Sequence, residues 1–335
     1  MLSANVKKYK DRDAIYLQAG RYSCMITPFN GSNIQVMTDT ENDIDFFRHD
    51  DSMSIEELKA NPVVYGFPTL FYANRLRDGI LKASDYTYTF PILDKEGHNS
   101  LHGFLHTREH SIVSVEVIGD TAVAKTEYVY DEKDEFFETF PVSFKAEYTF
   151  TLGEDGMHYE VTITNLSDRQ LPYGICNHTC FNGPFTTGAK PLDTRLYVTI
   201  GEKWSLSPRN LPTCDTMPLD NHDKQYLTGS LVPVEQDIDN DVYRMETIET
   251  DGMPFRGAVV SDIASGKEIV YEVDDKFNFW IVWNDKGDKN YFCVEPMSWM
   301  IDAPNLPLPG SESGYKELAP GESETVREHL YSRVK

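Results

Sequence analysis

The chain has 335 residues, of which 40% are hydrophobic and 12% aromatic, enough for a large packed core in one β-rich domain or two ordinary ones. Its 31 Lys and Arg residues stand against 54 Asp and Glu residues, and the net charge of −23 disfavours nucleic acid and anionic membranes as partners. This composition is typical of a soluble protein with a neutral or cationic ligand.

The cysteines predict free thiols and a cytoplasmic location. They are odd in number and comprise Cys24, Cys176, Cys180, Cys214 and Cys293. Cys176, His178 and Cys180 would share one face of a strand, but no second pair of ligands accompanies them, so we expect no metal. The N-terminus lacks the apolar segment of a signal peptide, and no apolar run approaches the length of about 18 residues that spans a membrane.

The hydrophobic pattern predicts an all-β protein. From Asp13 onward, short apolar runs alternate with Gly, Asn and Asp, which is typical of a sandwich or barrel. The segment Asp50–Leu58 is an exception, because Asp or Ser before an acidic first turn predicts a short helix. A loop rich in Pro, Gly and aromatic residues follows at 61–74.

Later strands are predicted wherever Val, Ile, Thr and Tyr recur with a period of two. They are YTYTFPIL, SIVSVEVIG, AVAKTEYVY, VSFKAEYTFTL, HYEVTITNL, RLYVTIG, RGAVVSD, KEIVYEVD, FNFWIVWN, NYFCVEPMS and SETVREHLYSRV. The acidic run DEKDEFFETF is predicted to be a solvated hairpin end, and residues 202–240 a long irregular, functional loop. Without a linker or repeat, we expect one mostly antiparallel β-sandwich domain over residues 1–335, with its site on the concave sheet.

His178 is the first candidate for proton transfer. It lies in YGICNHTCFNGP, and a histidine titrates near neutral pH. The alternative is a strand histidine bonded to a neighbour. Glu295, in YFCVEPMSW, is a candidate general base, because partial desolvation at a strand end raises a carboxylate's pKa. Pro296 is expected to stop that strand, and the alternative for Glu295 is pairing with an arginine.

Two further motifs predict ligand-binding side chains. Asn74 and Arg75 follow the aromatic loop, and the guanidinium fork suits ligand oxygens, although a surface salt bridge with Asp78 is the simpler alternative. In GHNSLHGFLH, three histidines occur at steps of four, but the glycines disfavour a helix. His102 is the best ligand-binding candidate there, and His98 and His106 are expected to be structural or exposed.

These motifs resemble a known family. NRLRDG, LHG, NHTCFN and VEP occur in the order seen in aldose 1-epimerases, and GFPTLFYANR and LAPGES support the resemblance over nearly the whole chain. The resemblance implies a large antiparallel supersandwich, as in galactose mutarotases, with a cofactor-free site. It further implies catalytic roles for His178 and Glu295 and sugar contacts for Arg75 and His102. Asp241 in DIDNDVYRM matches a sugar-binding aspartate loosely, with Asp239 as its rival.

The expected function is interconversion of the α and β anomers of a hexose, with a sugar as the partner and a monomer or homodimer as the assembly. The motif EPMSW followed by DAPN is more similar to a divergent bacterial branch, so the sugar stays open. A hexose-6-phosphate epimerase is one alternative, with Arg77 and Arg209 as possible phosphate ligands, but no basic cluster accompanies them. The others are a non-catalytic carbohydrate-binding sandwich and a polysaccharide lyase or glycoside hydrolase. Some of Tyr65, Phe181, Trp283 and Trp299 are candidates to stack on the sugar.

Overall fold

Antiparallel strands dominate the structure, a computed structural model that describes residues 1–250 and 252–335. The first strands are β1 (Leu2–Tyr9), β2 (Arg12–Ala19), β3 (Tyr22–Thr27), β4 (Asn33–Asp39), β5 (Ile44–Asp45), β6 (Thr69–Phe71), β7 (Arg75–Arg77), β8 (Ile80–Lys82), β9 (Thr87–Thr89), β10 (Asn99–Leu101), β11 (Ser111–Ile118), β12 (Thr121–Tyr130), β13 (Phe144–Gly153) and β14 (Gly156–Asn165). The later strands are β15 (Leu171–Tyr173), β16 (Ile175–Asn177), β17 (Thr179–Asn182), β18 (Thr194–Val198), β19 (Ile200–Leu206), β20 (Pro212–Met217), β21 (Asp241–Met245), β22 (Ile248–Thr250), β23 (Met253–Phe255), β24 (Gly257–Asp262), β25 (Lys267–Val273), β26 (Phe279–Trp283), β27 (Tyr291–Met297), β28 (Lys316–Leu318) and β29 (Ser323–Val334).

The helices of the described residues are short. The three α-helices are α1 (Ile55–Ala60), α2 (Asp223–Thr228) and α3 (Gly310–Ser313). Single 3₁₀ turns occur at Pro28–Asn30, Pro62–Val64, Leu105–Thr107, Pro191–Asp193 and Ala303–Asn305. Over the same residues, no helix combines the length and the apolarity needed to cross a membrane.

Two eight-stranded sheets face each other and confirm the predicted antiparallel β-sandwich. The back sheet has the order β11-β12-β13-β14-β29-β25-β24-β18. The front sheet has the order β20-β19-β21-β26-β27-β16-β6, with β17 also paired to β27. Aromatic contacts join the sheets, with ring centroids of Phe71 and Phe144 5.1 Å apart and those of Tyr271 and Trp280 6.1 Å apart. Strands β1 to β5 form a further sheet.

The predicted alternation is clearest in β13, where buried and half-buried residues alternate from Phe144 to Thr151. Its buried side chains contribute to the core between the sheets, as the period-two pattern requires. The short strand β9 shows the opposite outcome. It covers Thr87–Thr89 and not the whole predicted YTYTFPIL segment, because Pro91 cannot donate a ladder hydrogen bond.

The helix predicted at Asp50–Leu58 is present, but it covers Ile55–Ala60. The structure has three α-helices among the described residues, one more than the one or two expected. Helix α1 begins after Ser54, whose Oγ accepts from the Glu57 amide at 3.2 Å while Glu57 accepts from the Ser54 amide at 2.7 Å. This capping box is a stronger start than Asp50, whose carboxylate instead accepts from the Ser52 amide at 2.8 Å.

One loop prediction was wrong, and a second was right only in part. Residues 202–240 contain most of β19 together with β20 and α2, which the sequence conceals because only Ile200 and Trp204 are buried in β19. The acidic hairpin end between β12 and β13 is not simply solvated. Phe140 is fully buried, and the Asp134 carboxylate, 2% exposed, accepts from Arg108 Nε at 2.7 Å.

Gly174, between β15 and β16, allows a close approach of Trp299. A Cβ built on Gly174 would lie 2.1 Å from Trp299 Cδ2. The indole is fully buried, stacks on Tyr72 with centroids 5.3 Å apart and donates from Nε1 to the carbonyl of Ala73 at 3.1 Å. Trp299 is therefore a core residue that holds the start of β16, and it does not stack on a sugar.

We predict that Gly174→Ala lowers the free energy of unfolding by about 3 kcal/mol, because the added methyl group forces the buried indole out of place. Gly119→Ala is the matched control. At Gly119 a Cβ meets nothing within 4 Å, so this variant should lose only about 1 kcal/mol to its left-handed backbone. Urea denaturation measures both losses, and equal losses would contradict the close contact.

Candidate active site

The register of the front sheet places His178 opposite Glu295. The pairs that define the register are Cys176 with Met297, Thr179 with Val294, and Cys180 with Cys293. The same register pairs His178 with Glu295, on the face that also carries Cys176 and Cys180. Directly paired side chains lie side by side on one face of a sheet, so strand pairing itself creates the contact.

The backbone hydrogen bonds identify this as a narrow pair. The amides of His178 and Cys180 donate away from β27, to the carbonyls of Pro68 at 2.9 Å and Gly66 at 3.1 Å. Residues paired without mutual hydrogen bonds have Cα atoms about 4.5 Å apart, the closer of the two antiparallel spacings.

Pro296 does not end the strand, contrary to the sequence prediction. Strand β27 continues to Met297, and Pro296 pairs with Trp280. In the register with β16, Pro296 lies opposite Asn177, where it withholds one donor from the ladder. The result is a local break in the ladder at His178, with the strands still aligned on both sides.

The His178 and Glu295 side chains contact each other directly. His178 Nε2 lies 3.2 Å from Glu295 Oε1, and the two residues are 5% and 2% exposed. Burial by itself would lower the pKa of His178, but the charge of Glu295 and the hydrogen bond to Cys180 raise it to about 9. Burial raises the pKa of Glu295 to about 7, against the opposing charge of His178. Each group can therefore carry a proton near neutral pH.

Arg75 is held beside this pair by two neighbours. Its Nε donates to Asp94 Oδ2 at 3.1 Å, and its Nη1 donates to Asn74 Oδ1 at 3.3 Å. The side chain is 14% exposed, and its positive charge acts on Glu295 to lower that carboxyl's pKa. The acid partner is thus the half-buried Asp94 and not Asp78, and Asn74 positions the arginine.

His102 reaches the pair from a separate loop. Its amide donates to the carbonyl of Asn74 at 2.8 Å, and both residues adopt left-handed backbone angles, with φ of 63° and 57°. The His102 ring lies 5.4 Å from the His178 ring, and its Nδ1 is buried with no partner among the described residues. Burial and the charge of His178 lower the pKa of His102 well below its usual value, so the ring is neutral.

Gly103 makes this approach possible. A Cβ there would lie 2.0 Å from the Tyr72 amide nitrogen, and the φ of +62° is unfavourable for other residues. His98 is exposed beside Asp78, and His106 is buried, in line with the structural or exposed roles expected of them.

Asp241 lies on the other face of the front sheet. It pairs with Val282, whereas the neighbouring Ile281 pairs with Glu295, and successive residues in a strand point to opposite faces. The Asp241 carboxylate accepts from His222 Nε2 at 2.8 Å and from the Tyr226 hydroxyl at 3.0 Å.

The rival, Asp239, is exposed and accepts from the side chain of Asn240 at 2.7 Å. The structure therefore brings neither Asp239 nor Asp241 to the His178–Glu295 pair, and we leave both out of the candidate site.

Of the aromatic candidates, Trp283 lies near the pair, with its ring centroid 6.0 Å from that of His178. Phe181 points into the core and contacts Tyr271 with centroids 5.9 Å apart. Tyr65 instead stacks against the guanidinium of Arg48, at 4.3 Å from its ring centroid.

Three cysteines on this face make contacts that were not expected from the sequence. Cys180 Sγ lies 3.5 Å from His178 Nδ1 and 2.8 Å from Cys293 Sγ. Cys176 Sγ lies 3.9 Å from Glu295 Oε2. Cys176 and Cys180 are each two residues from His178, and Cys293 is two residues from Glu295. Because alternate residues of a strand share a face, this spacing could have predicted that all five side chains lie on one face. No sequence pattern predicted that Asp94 would bind Arg75.

We predict that the Glu295 charge is what keeps His178 protonated. In Glu295→Gln, the His178 pKa should fall from about 9 towards the ordinary value of about 6.5, because only the contact with Cys180 and a backbone hydrogen bond then oppose burial. NMR titration of the imidazole nitrogens measures this shift. Glu116→Gln, on the exposed strand β11, is the control and should leave the value near 9. A His178 pKa near 9 in both variants would refute the assignment.

Known proteins resemble this chain in sequence and in fold. The family model described as aldose 1-epimerase matches residues 13–331. A solved galactose mutarotase-like protein from Clostridium acetobutylicum is 29% identical, with a TM-score of 0.98 over 100% of this chain and 99% of that one. A galactose 1-epimerase from Lactobacillus acidophilus shares the fold, with a TM-score of 0.73, 13% identity and coverage of 100% and 99%.

A curated relative, the chromosomal LacX protein of Lactococcus lactis, is 25% identical over 198 residues. That match covers 59% of this chain and spans 62% of the relative.

Proposed function

Because the chain belongs to the aldose 1-epimerase family, we propose that it interconverts the α and β anomers of a hexose by opening and closing the sugar ring. The observation that carries this proposal is the contact between His178 Nε2 and Glu295 Oε1 at 3.2 Å. It joins a buried acid and a buried base on one rigid sheet. The five free cysteines also support a cytoplasmic location.

Ring opening needs one proton removed and one delivered. Glu295, as the carboxylate, takes the proton of the C1 hydroxyl, and His178, as the imidazolium, donates from Nε2 to the ring oxygen. The bond between C1 and the ring oxygen breaks, and C1 becomes an aldehyde. Rotation about the C1–C2 bond exposes the other carbonyl face. Closure reverses both proton transfers and restores the protein.

The sugar must separate the two groups, which contact each other in the structure. A C1 hydroxyl and a ring oxygen are neighbours on one carbon, so they can replace the contacts that the carboxylate and the imidazolium make with each other. Arg75 and the unpartnered Nδ1 of His102 are positioned to bind sugar hydroxyls, and the Trp283 ring is available for its apolar face. Arg75 and His102 also oppose negative charge that develops on the ring oxygen.

A neutral sugar is better supported than a 6-phosphate. Arg209 donates to Asp78 at 2.7 Å, and Arg77 lies 3.3 Å from Asp302, so both expected phosphate ligands already have carboxylate partners. A dianionic phosphate would have to displace these contacts in a protein with a net charge of −23. Mutarotation assays on glucose and galactose beside their 6-phosphates test this preference.

We predict that the protein accelerates mutarotation of fresh α-glucose or α-galactose in a polarimeter. His178→Asn and Glu295→Gln should each slow it by about 10²- to 10⁴-fold, since each removes a positioned proton transfer. His98→Asn and Glu116→Gln, at exposed positions, are the matched controls and should keep the full rate. Calorimetric sugar binding without any acceleration would instead identify a non-catalytic carbohydrate-binding protein.

The pH dependence of kcat/KM should be bell-shaped, with limbs near pH 7 and pH 9. Activity falls below about pH 7 because Glu295 becomes protonated, and it falls above about pH 9 because His178 loses its proton. Initial rates across pH 5–10.5, corrected for the uncatalysed reaction, measure the profile. A profile flat across both limbs would rule out these two groups as the acid and the base.

A further inference from the structure

Cys180 and Cys293 form a second cross-strand pair directly beside His178, and the proton transfers above do not use them. We propose that this pair is a redox modification site, at which a hydroperoxide converts the two thiols into a disulfide between β17 and β27. The disulfide slows the reaction of the His178–Glu295 pair. This second part rests on the proposed function, whereas the modification itself does not.

The geometry of the pair suits a disulfide without movement of the backbone. Cys180 and Cys293 are directly paired, and the backbone groups of Cys180 bond elsewhere, its amide to Gly66 and its carbonyl to Arg48 at 2.9 Å. Narrow pairs of this kind have Cα atoms about 4.5 Å apart, within the range of about 4.4–6.8 Å that disulfides span. The two Sγ atoms are already 2.8 Å apart.

The surroundings divide the two thiols into a nucleophile and a partner. As a thiol, Cys180 Sγ donates to the carbonyl of Val63 at 3.2 Å. As a thiolate, it can accept from Cys293 Sγ and His178 Nδ1, and the positive charge of Arg48 lies nearby. Burial raises the pKa of Cys180, but these donors and charges outweigh burial and hold it below its usual value. Burial raises the pKa of Cys293, which therefore stays protonated. Cys180 is the thiol that attacks, and Cys293 is the one that resolves.

The reaction balances with one hydroperoxide. The Cys180 thiolate attacks the terminal peroxide oxygen, the O–O bond breaks, and sulfenic acid forms at Cys180 with release of an alkoxide, or of hydroxide from hydrogen peroxide, which takes up a proton from solvent. Cys293 Sγ then attacks the Cys180 sulfur, the S–S bond forms, and hydroxide leaves with the thiol proton as water. Two thiols are oxidised by two electrons, and the peroxide accepts both.

The sulfur spacing favours this chemistry over a metal centre. His178, Cys180 and Cys293 are close enough together to be considered as three metal ligands. Two sulfurs on one tetrahedral zinc ion lie roughly 3.8 Å apart, from zinc–sulfur bonds of about 2.3 Å. The observed 2.8 Å is shorter, and it lies on the path towards a sulfur–sulfur bond of about 2.05 Å.

Access to the pair is limited to small oxidants. Both cysteines are fully buried, and the Pro62–Val64 turn covers them, with the carbonyl of Val63 3.2 Å from Cys180 Sγ and Val64 packed against the pair. A hydroperoxide is about the size of a water pair, so it needs only a small opening of this turn. Among the described residues, no thiol lies within hydrogen-bond distance of Cys24, Cys176 or Cys214, so these cysteines serve as internal controls.

Oxidation would act on catalysis through His178. Forming the bond draws Cys180 Sγ towards Cys293 and removes its negative charge, so His178 Nδ1 loses the acceptor that helps to raise the His178 pKa. The imidazolium is then less favoured and less well oriented. Cys180 is a positioning residue in this account, and its oxidation should move the alkaline limb of the pH profile to lower pH.

The modification is tested on the purified full chain, without denaturant, with hydrogen peroxide as the probe. After denaturation and alkylation, the intact mass of the oxidised protein should show two fewer alkyl groups than that of the reduced protein, as expected when two thiols form a disulfide. Digestion should yield a peptide linked through Cys180 and Cys293. Cys293→Ser should block the linked peptide and leave a sulfenic acid at Cys180. Free thiols at both positions, separate sulfinic acids, or a disulfide to another cysteine would overturn the proposal.

The effect on catalysis has its own readout. The oxidised protein should be at least about tenfold slower in mutarotation at pH 8.5, with its alkaline limb shifted to lower pH, and dithiothreitol should restore both. Cys180→Ser, which lacks the attacking thiol, should keep its own starting rate, whatever that rate is, on peroxide treatment. A disulfide with an unchanged rate and pH profile would refute the link to catalysis. Absence of mutarotation in the reduced protein would refute the proposed function, while the mass measurement would still decide the modification site.

Discussion

The narrow register between β27 and the β16–β17 segment is the constraint on which the site depends. It places three cross-strand pairs on one face, with His178 opposite Glu295 in the centre. A shift of one of these strands by one residue would turn its side chains to the opposite face of the sheet and separate the pairs. Contacts outside β27 also hold the β16–β17 segment in place. The His178 amide donates to the carbonyl of Pro68, and Trp299 packs over Gly174 at the start of β16.

Burial and charge then tune the two groups that the register brings together. Each is almost completely desolvated, which disfavours its charged form, and each is the principal charge that stabilises the other. Near neutral pH, His178 is therefore protonated, and Glu295 can be either a carboxylate or a carboxylic acid. Arg75, at the start of β7, and His102, directly after β10, lie outside these strands, so the front sheet supplies the His178–Glu295 pair and other segments supply the groups beside it.

Much of this arrangement could be predicted from residue types and their order. Period-two patterning was sufficient for the sandwich, and the motifs around His178, Glu295, Arg75 and His102 led to residues that the structure does place together. Asp241 was misplaced because a motif match does not record which face of a strand a residue occupies, and its pairing with Val282 decides that. Most of strand β19 was missed because five of its seven residues are only partly buried or exposed.

Other features depend on partners distant in sequence. Asp94 binds Arg75 across a loop, and Cys293 meets Cys180 from another strand, so neither contact is visible from local pattern. The left-handed backbone at Asn74 and His102 is likewise set by the hydrogen bond between their loops. Such conformations are unusual for residues other than glycine and are frequent at functional sites.

The central claim is that this register-aligned pair opens a sugar ring. The most direct test is exchange spectroscopy by NMR on aldoses labelled with carbon-13 at C1, at anomeric equilibrium and pH 8, because it observes interconversion without any net change in composition. With the native protein, we expect α-to-β exchange at a rate proportional to protein concentration, and with the His178→Asn, Glu295→Gln double variant we expect exchange at the uncatalysed rate. Uncatalysed exchange of every aldose tested with the native protein would contradict it.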